Sequence, residues 1–335
     1  MKHKSGMYQL SNMKKAALPD PITIAACRWL LSGGVSGAYA GPDPGRTHGL
    51  SPLLAKETGQ GKISLFTAAE WFRREEILRP VLESISKEGI RLWAVKGFDL
   101  ARSVYPFPGG RPMCDADLFL KIEDRQRILK VFDQCGWSRG SPGDGIFSSG
   151  IVSEMKMYRY GTMAELHTHI FYFPATFPGK LPADLFENGR LLEPGLTGFA
   201  WHNALLLVLI HMLTNSSIRP VWWVDICLLC RKVSEAGSWD KFALNAYETR
   251  LNGAIASALA VAADDLRAPV PGKVVSVLNK NVSGGDDILE KLRIGRKVPT
   301  LLNLKHLTGW KKVSWFYALL WLVLTGQKPL RRIQD

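Results

Sequence analysis

The sequence has few cysteines, no long uninterrupted apolar run and fewer acidic than basic residues. Its five cysteines form an odd set without framework spacing, which argues against a disulfide scaffold and favours a reducing, cytoplasmic location. Arg28 and several glycines interrupt the apolar stretch at 22–40, and the run Trp315–Leu324 has only ten residues, so neither predicts a membrane-spanning helix. The sequence also contains no internal repeat or low-complexity tract, which excludes a fibrous architecture.

The excess of basic over acidic residues is concentrated near the C-terminus. The chain has 43 Lys and Arg against 30 Asp and Glu, and residues 291–335 contain ten of the basic residues but a single acid, Asp335. In this tail, tryptophans and basic residues flank the apolar run. Residues 309–335 therefore predict peripheral contact with an anionic inner membrane surface, and the alternative is a buried helix that covers the core or a partner. The middle of the chain is not basic enough to favour nucleic acid as a partner.

Hydrophobic periodicity predicts an α+β protein. A helix is expected at Thr67–Glu88, with Thr67 as its N-cap and Gly89 just after its end. The strand candidates, which share alternation or short apolar runs, are Arg91–Val95, Asp115–Leu120, Ile146–Ser153, Lys156–Tyr160 and Met163–Ile170. Further helices are expected at 20–31, 97–105, 123–135, 197–213, 221–233 and 241–262, with the pattern helical throughout beyond about Phe173. We predict a helical and loop segment at 1–64, an α/β core at 65–178 and a helical region with the basic tail at 179–335.

Two carboxylates stand two residues apart on one strand candidate. Alternation places Asp115 and Asp117 on the same face, where they repel each other unless a cation compensates them. Mg²⁺ does so when it binds one or two carboxylates together with substrate phosphates. A solvated strand end is the alternative. If repulsion dominates, replacing either carboxylate should not lower stability.

A second strand candidate adds a third carboxylate. Glu165, His167 and His169 alternate onto one face of the segment Ala164–Ile170. Three acids on two strands are typical of a two-metal phosphoryl-transfer site, in which carboxylates hold the ions that clamp a triphosphate. A zinc or iron site formed by the two histidines and an acid is the rival, and a hydrogen-bonded polar face is the structural alternative.

An anion site is predicted just upstream. Lys96 and Gly97 follow an apolar strand and open a short helix, so backbone N–H groups and a lysine charge face the same point. Such a turn can hold phosphate, although strand-to-helix turns of this kind also occur without a ligand.

Together these segments resemble a known family. The sequences AVKG, GGRPMCDADLFL and AELHTHI, followed by VWWVDICLL, are similar to the uncharacterised bacterial nucleotidyltransferases of the DNA polymerase beta-like superfamily. The resemblance covers roughly residues 45–235 and implies a minimal nucleotidyltransferase fold with a mixed sheet. It also implies Asp115 and Asp117 as catalytic metal ligands, Glu165 as the third carboxylate, and Lys96 and Gly97 at the triphosphate of an NTP such as ATP.

Three further residues keep alternative roles. Arg111 is expected either to contact a phosphate or to pair with Asp115 or Asp117. His211 and Asp225 lie on apolar helices, where a hydrogen-bonded His–Asp pair is a more usual role than catalysis.

These features predict a nucleotidyltransferase that depends on Mg²⁺ or Mn²⁺. It would move a nucleoside monophosphate from an NTP to a hydroxyl of an unknown acceptor, for which a small molecule, a peptide or a protein is favoured over an RNA end. The competing hypothesis is a non-catalytic nucleotide-binding or scaffold protein of the same fold, because fold alone does not establish activity.

Overall fold

The structure is a computed structural model that describes the central part of the chain. The described residues are 19, 23–24, 27, 61–107, 109–140, 147–148, 150, 152–171, 174, 177–215 and 219–280. Thr23, Ile24 and Cys27 are helical, in agreement with the helix expected at 20–31. Of the loop predicted at 40–64, residues 61–64 are helical, so that part of the prediction was wrong, and the rest lies outside the described residues. The tail 309–335 also lies outside them.

Eight helices and seven strands make up the described fold. The helices are α1 (Gly61–Lys87), α2 (Lys96–Ser103), α3 (Arg125–Gln134), α4 (Trp201–Thr214), α5 (Pro220–Glu235), α6 (Trp239–Glu248), α7 (Asn252–Asp264) and α8 (Gly272–Lys280). The strands are β1 (Leu92–Ala94), β2 (Asp115–Phe119), β3 (Ser138–Arg139), β4 (Glu154–Arg159), β5 (Thr162–His167), β6 (Arg190–Glu193) and β7 (Leu196–Gly198).

The strands form one mixed sheet in the order β3-β4-β5-β2-β1-β7-β6. β2 is central: it runs parallel to β5 and antiparallel to β1, and β1 runs parallel to β7. Helices α1 to α3 interleave with the strands, while α4 to α8 follow the last strand. The predicted α+β class and the mixed sheet of a nucleotidyltransferase-type core are therefore confirmed.

The alternation of strand residues divides the core between the two faces of the sheet. Leu92, Ala116 and Leu118 pack in one buried cluster with α1 and α3. Trp93 and Phe119, from the opposite face, belong to the cluster formed by α4 and α5 and the helices that follow. Asp115 and Asp117 share the strand parity of Phe119, so their face of the sheet is the one directed toward the C-terminal helices.

Two local predictions in the N-terminal half were wrong. The helix α1 begins at Gly61, so Thr67 lies inside it and is not its N-cap, since neither proline nor glycine separates the two positions. Gly89, at φ +67, does follow its end in the left-handed conformation. The segment 146–153 is not a strand where it is described: Phe147 and Ser148 are helical, and Gly150 turns the chain at φ +75.

The helical pattern expected beyond Phe173 was also wrong in part. β6 and β7 form a hairpin around Pro194 and Gly195, and β7 pairs with β1, so the sheet extends past residue 178. The Pro–Gly dipeptide is a turn signal, and two short strands on either side of it leave little periodicity to detect. The helix expected at 241–262 is two helices, separated by Arg250 at φ +57.

All five cysteines are free thiols, in agreement with the prediction that they form no disulfide scaffold. Among the helices that the structure describes, none combines the length and hydropathy that crossing a bilayer requires.

Candidate metal and nucleotide site

The register of two parallel strands brings the predicted acids together. Asp117 on β2 lies directly opposite Glu165 on β5, and Phe119 lies opposite His167. Asp115 stands two residues before Asp117 on the same strand, so it projects from the same face. Alternation read from the sequence placed Asp115 and Asp117 on one face of β2 and Glu165 on one face of β5, and the pairing of β2 with β5 puts these residues on the same face of the sheet and close together.

Asp117, Glu165 and His167 form a group that could hold a metal ion. One ligand atom from each lies within 4.8 Å of the others. The Nε2 atom of His167 is 2.9 Å from Oδ1 of Asp117 and 3.7 Å from Oε2 of Glu165. Their side chains are 10%, 12% and 7% exposed for Asp117, Glu165 and His167 respectively. Two carboxylate oxygens suit a hard divalent ion, whereas an imidazole nitrogen suits Zn²⁺ or Fe²⁺ better than Mg²⁺, so this group could hold a divalent ion without selecting which one.

Asp115 and Asp117 differ in their electrostatic surroundings. Burial raises the pKa of Asp115 to about 7, and the charges of Asp117 and Glu165 add to this effect. Burial acts on Asp117 as well, but Lys96 and His167 more than offset it and hold the pKa of Asp117 well below its usual range. Asp117 is therefore the firmly ionised member of the pair, and Asp115 lies beside the metal group.

Lys96 contacts an acid of this group. Its Nζ donates to Oδ1 of Asp117 at 2.7 Å, and both side chains are largely buried. Burial lowers the pKa of the Lys96 ammonium, but the charge and hydrogen bond of Asp117 and the charges of Glu165 and Asp115 together outweigh burial, so the pKa is raised. The residue adopts φ +55, a left-handed conformation that is uncommon for a residue with a side chain. The predicted phosphate-binding lysine thus stands within the acidic group itself.

A second lysine at the site was missed by the sequence analysis. Lys156 on β4 lies opposite Glu165 on β5, and its Nζ is 3.1 Å from Oε1 of Glu165. The same strand places Glu154 opposite His167. Burial raises the pKa of Glu154, with the nearby charge of Glu165 adding to the shift.

The signal for Lys156 was present in the sequence. Tyr160 and Gly161, at φ +47 and +72, form the two-residue turn of the β4–β5 hairpin. A two-residue turn fixes the register of its strands, so counting back from it pairs Lys156 with Glu165.

Arg111 forms hydrogen bonds in a buried cluster that does not include the acids with which it was expected to pair. Its Nη2 donates to Oδ2 of Asp225 on α5 at 2.7 Å, and its Nε is 3.2 Å from Oδ1. The hydroxyl of Tyr105 donates to the same Oδ1 at 2.7 Å. Within the described residues, the other hydrogen bond of Arg111 goes to the carbonyl of Pro112, so the predicted pairing of Arg111 with Asp115 or Asp117 is replaced by a bond to the C-terminal helices.

The position of the Arg111 guanidinium also explains why a glycine stands at position 97. A Cβ at Gly97 would collide with Nη1 and Cζ of Arg111, so a larger residue there would have to displace the guanidinium that Asp225 holds. The turn between β1 and α2, which carries Lys96, is thereby packed against a side chain anchored on α5.

The two histidines with open roles lie outside the metal group. β5 ends at His167, so His169 leaves the face it was expected to share; its Nδ1 accepts from the backbone N–H of Phe171 at 3.0 Å. The ring of His211 packs against Trp222, with centroids 4.8 Å apart. Asp225, expected as a partner for His211, is bound instead by Arg111 and Tyr105.

Comparison with curated proteins and with solved structures gives no match. A family model described as "uncharacterised nucleotidyltransferase" matches residues 46–266. This range contains β1, β2 and β5 with the whole metal group, and it continues through α7. A family model that spans most of the chain, together with a sheet that brings its acids together, establishes membership, and the chain therefore belongs to this uncharacterised nucleotidyltransferase family.

Proposed function

We propose that this protein is a metal-dependent nucleotidyltransferase that moves a nucleoside monophosphate from an NTP to a hydroxyl group of an acceptor. The observation that carries the proposal is the in-register pair Asp117 and Glu165, with His167 close enough to complete a set of metal ligands. Membership of the nucleotidyltransferase family supports the same reaction class.

The donors present fit the metal that the reaction needs. Asp117, Glu165 and His167 would hold a divalent ion, Mg²⁺ or Mn²⁺, and Asp115 stands beside them as a further carboxylate. When bound, such an ion neutralises phosphate charge and lowers the pKa of the attacking hydroxyl.

The residues of the chain have distinct tasks in this proposal. Lys96, at the first turn of α2, offers a positive charge and a helix N-terminus to the triphosphate. Gly97 and Arg111 keep that turn in place through their packing contact. Arg111 would therefore support the nucleotide site from behind, with its guanidinium held by Asp225.

The reaction balances without a further reactant. The acceptor oxygen forms a bond to the α-phosphorus, the bond from that phosphorus to the bridging oxygen of the β-phosphate breaks, and pyrophosphate leaves. The proton of the acceptor hydroxyl passes to a carboxylate of the site.

The acceptor we propose is a small molecule or a hydroxyl side chain of a peptide or protein, since basic residues are not concentrated around the middle of the sequence. A cytoplasmic location and peripheral contact of residues 309–335 with an anionic membrane remain predictions, and that tail lies outside the described residues.

The test is transfer from NTPs labelled at the α-phosphate. Each of the four NTPs would be incubated with Mg²⁺ or Mn²⁺ and with candidate acceptors that include the protein itself, and both pyrophosphate release and transfer of label would be followed. Asp117→Ala should abolish both signals. Asp240→Asn, which changes an exposed acid on α6, is the matched control and should leave them unchanged.

Nucleotide binding without turnover under any of these conditions would favour the non-catalytic alternative. Turnover that survives Asp117→Ala in a folded protein would contradict the proposed site.

A further inference from the structure

Two lysines occupy the carboxylates that a metal would need. Lys96 contacts Asp117 at 2.7 Å, and Lys156 contacts Glu165 at 3.1 Å. They arrive from different elements, one from the turn before α2 and the other from β4. Each lysine is therefore matched to one acid of the metal group.

Lys96 holds its position at a cost. It is largely buried, and its backbone at φ +55 is in the left-handed region, which is unfavourable for a residue with a side chain. Strained or buried positions of this kind persist where the surroundings compensate for them, and here Asp117 does so. Lys156, at 25% exposed, lies on a regular strand and extends across the β4–β5 pair.

Lys96 contacts Oδ1 of Asp117, the oxygen that also faces His167, and Lys156 contacts Oε1 of Glu165. A divalent ion held by Asp117 and Glu165 would lie close to both ammonium groups, and like charges repel in a partly buried site, so metal binding favours withdrawal of both lysines. A lysine that withdraws must find another anion or return to water. The triphosphate of the substrate brings that anion to the same place, and a lysine ammonium binds phosphate as a flexible point charge.

We propose that Lys96 and Lys156 are exchangeable counter-ions, bound to Asp117 and Glu165 in the metal-free protein and transferred to the triphosphate when metal and NTP bind together. This inference rests on the proposed function and adds a regulation to it. The metal alone binds weakly because it competes with the lysines. An NTP removes the competitors, so each ligand strengthens the binding of the other by the same factor.

The test measures metal affinity and needs no turnover. Mn²⁺ would be titrated by calorimetry and by electron paramagnetic resonance into the full chain, with and without an α,β-methylene NTP analogue that cannot be cleaved. The variants are Lys96→Met and Lys156→Met, which keep a side chain of similar length without the charge. Lys130→Met, at an exposed position on α3, is the matched control.

In the wild type, the analogue should strengthen Mn²⁺ binding about fivefold or more, a coupling typical of linked sites. Without the analogue, each site variant should bind Mn²⁺ about fivefold or more tightly than the wild type, and its coupling to the analogue should fall. The control should match the wild type. Lys96→Met leaves Asp117 buried without its cation, so circular dichroism would check the fold of this variant. If it does not fold, the test depends on Lys156→Met, which changes a more exposed residue.

Two results would overturn the inference in different ways. In the first, the wild type binds Mn²⁺, and the folded variants bind it with unchanged affinity and coupling or with weaker affinity. This result would contradict the counter-ion role and leave the metal site intact. In the second, neither the wild type nor any variant binds Mn²⁺ with or without the analogue, and the proposed function would then fail as well.

Discussion

Two clusters built on buried carboxylates, both in the described part of the chain, differ in character. We call Asp115, Asp117, Glu154 and Glu165 the acidic cluster, and Asp225 with Arg111 and Tyr105 the Asp225 cluster. In the acidic cluster, four carboxylates face two lysines and one histidine, and the pKa values of Asp115 and Glu154 are raised, first by burial and then by neighbouring acids. In the Asp225 cluster, one carboxylate receives hydrogen bonds from a guanidinium and a phenol, and the Asp225 side chain is 1% exposed.

The difference lies in how completely each charge is satisfied. Asp225 has a counter-charge and donors on both oxygens, so it has nothing left to offer a ligand. The acidic cluster has four carboxylates for two lysines, and burial and neighbouring acids raise the pKa values of Asp115 and Glu154, so an added cation would be favoured there. A buried ion pair with complete hydrogen bonds indicates structure, whereas a group of acids with perturbed pKa values in a partly buried site indicates function.

The largest effect, a loss of folding stability, is expected when the Asp225 cluster is disrupted. Asp225→Leu leaves the Arg111 charge buried without a partner, so the free energy of unfolding should fall by about 3–5 kcal/mol. Urea denaturation followed by circular dichroism would measure it. The double variant Arg111→Met with Asp225→Leu should recover most of the loss, since a buried pair can be replaced by apolar groups. A double variant as unstable as the single one would contradict this view of the cluster.

Substitution in the acidic cluster should lower the rate of nucleotidyl transfer. Asp117→Asn removes a charged metal ligand, so pyrophosphate release should fall more than about 100-fold, beyond the loss typical of residues that merely support a ligand. The same variant should also lose stability, because Lys96 would lack its counter-charge. Repulsion between Asp115 and Asp117 alone predicts no such loss, so thermal denaturation distinguishes the two views.

Variants of His167 and His169 test which histidine belongs to the metal group. His167→Ala should weaken Mn²⁺ binding about tenfold or more, because Nε2 of His167 belongs to the ligand group. His169→Ala, which changes a ring packed against Phe177 with centroids 5.0 Å apart, should leave Mn²⁺ affinity unchanged. Calorimetric titration of the two variants side by side makes the comparison. Equal losses of Mn²⁺ affinity would contradict the assignment of His167, and not His169, to the metal group.

The smallest expected effect concerns Asp115 in metal-free protein. Because its pKa is raised to about 7, ionising Asp115 costs the folded state, and stability falls as the pH rises from about 4 toward 7. Asp115→Asn has no such ionisation. With EDTA present, its stability advantage over the wild type should therefore grow across this range by at least about 1.4 kcal/mol, the worth of one pKa unit.

Denaturation curves of the two proteins at pH 4, 6 and 8 would measure this change. An advantage that stays constant with pH would mean that Asp115 ionises in the folded protein as it does in the unfolded chain.

Some of the site could be predicted because local backbone geometry encodes it. The alternation in DADLF and AELH placed Asp115, Asp117 and Glu165 on strand faces that the structure confirms. The β4–β5 turn at Tyr160 and Gly161 also encodes Lys156 opposite Glu165, and it was overlooked because the segment was treated as two separate strands. His169 shows the limit of alternation, which holds only while the strand continues.

The sequence by itself determined which side chains share a face of β2 and of β5, because successive residues of a strand point to opposite sides whatever the rest of the fold does. Only the tertiary structure decided which cation each acid receives. Arg111 meets Asp225 across 114 positions of the chain, and Lys96 meets Asp117 from the end of the neighbouring strand β1. Such contacts depend on how α5 and the strands pack against one another, and periodicity carries no information about packing between distant segments.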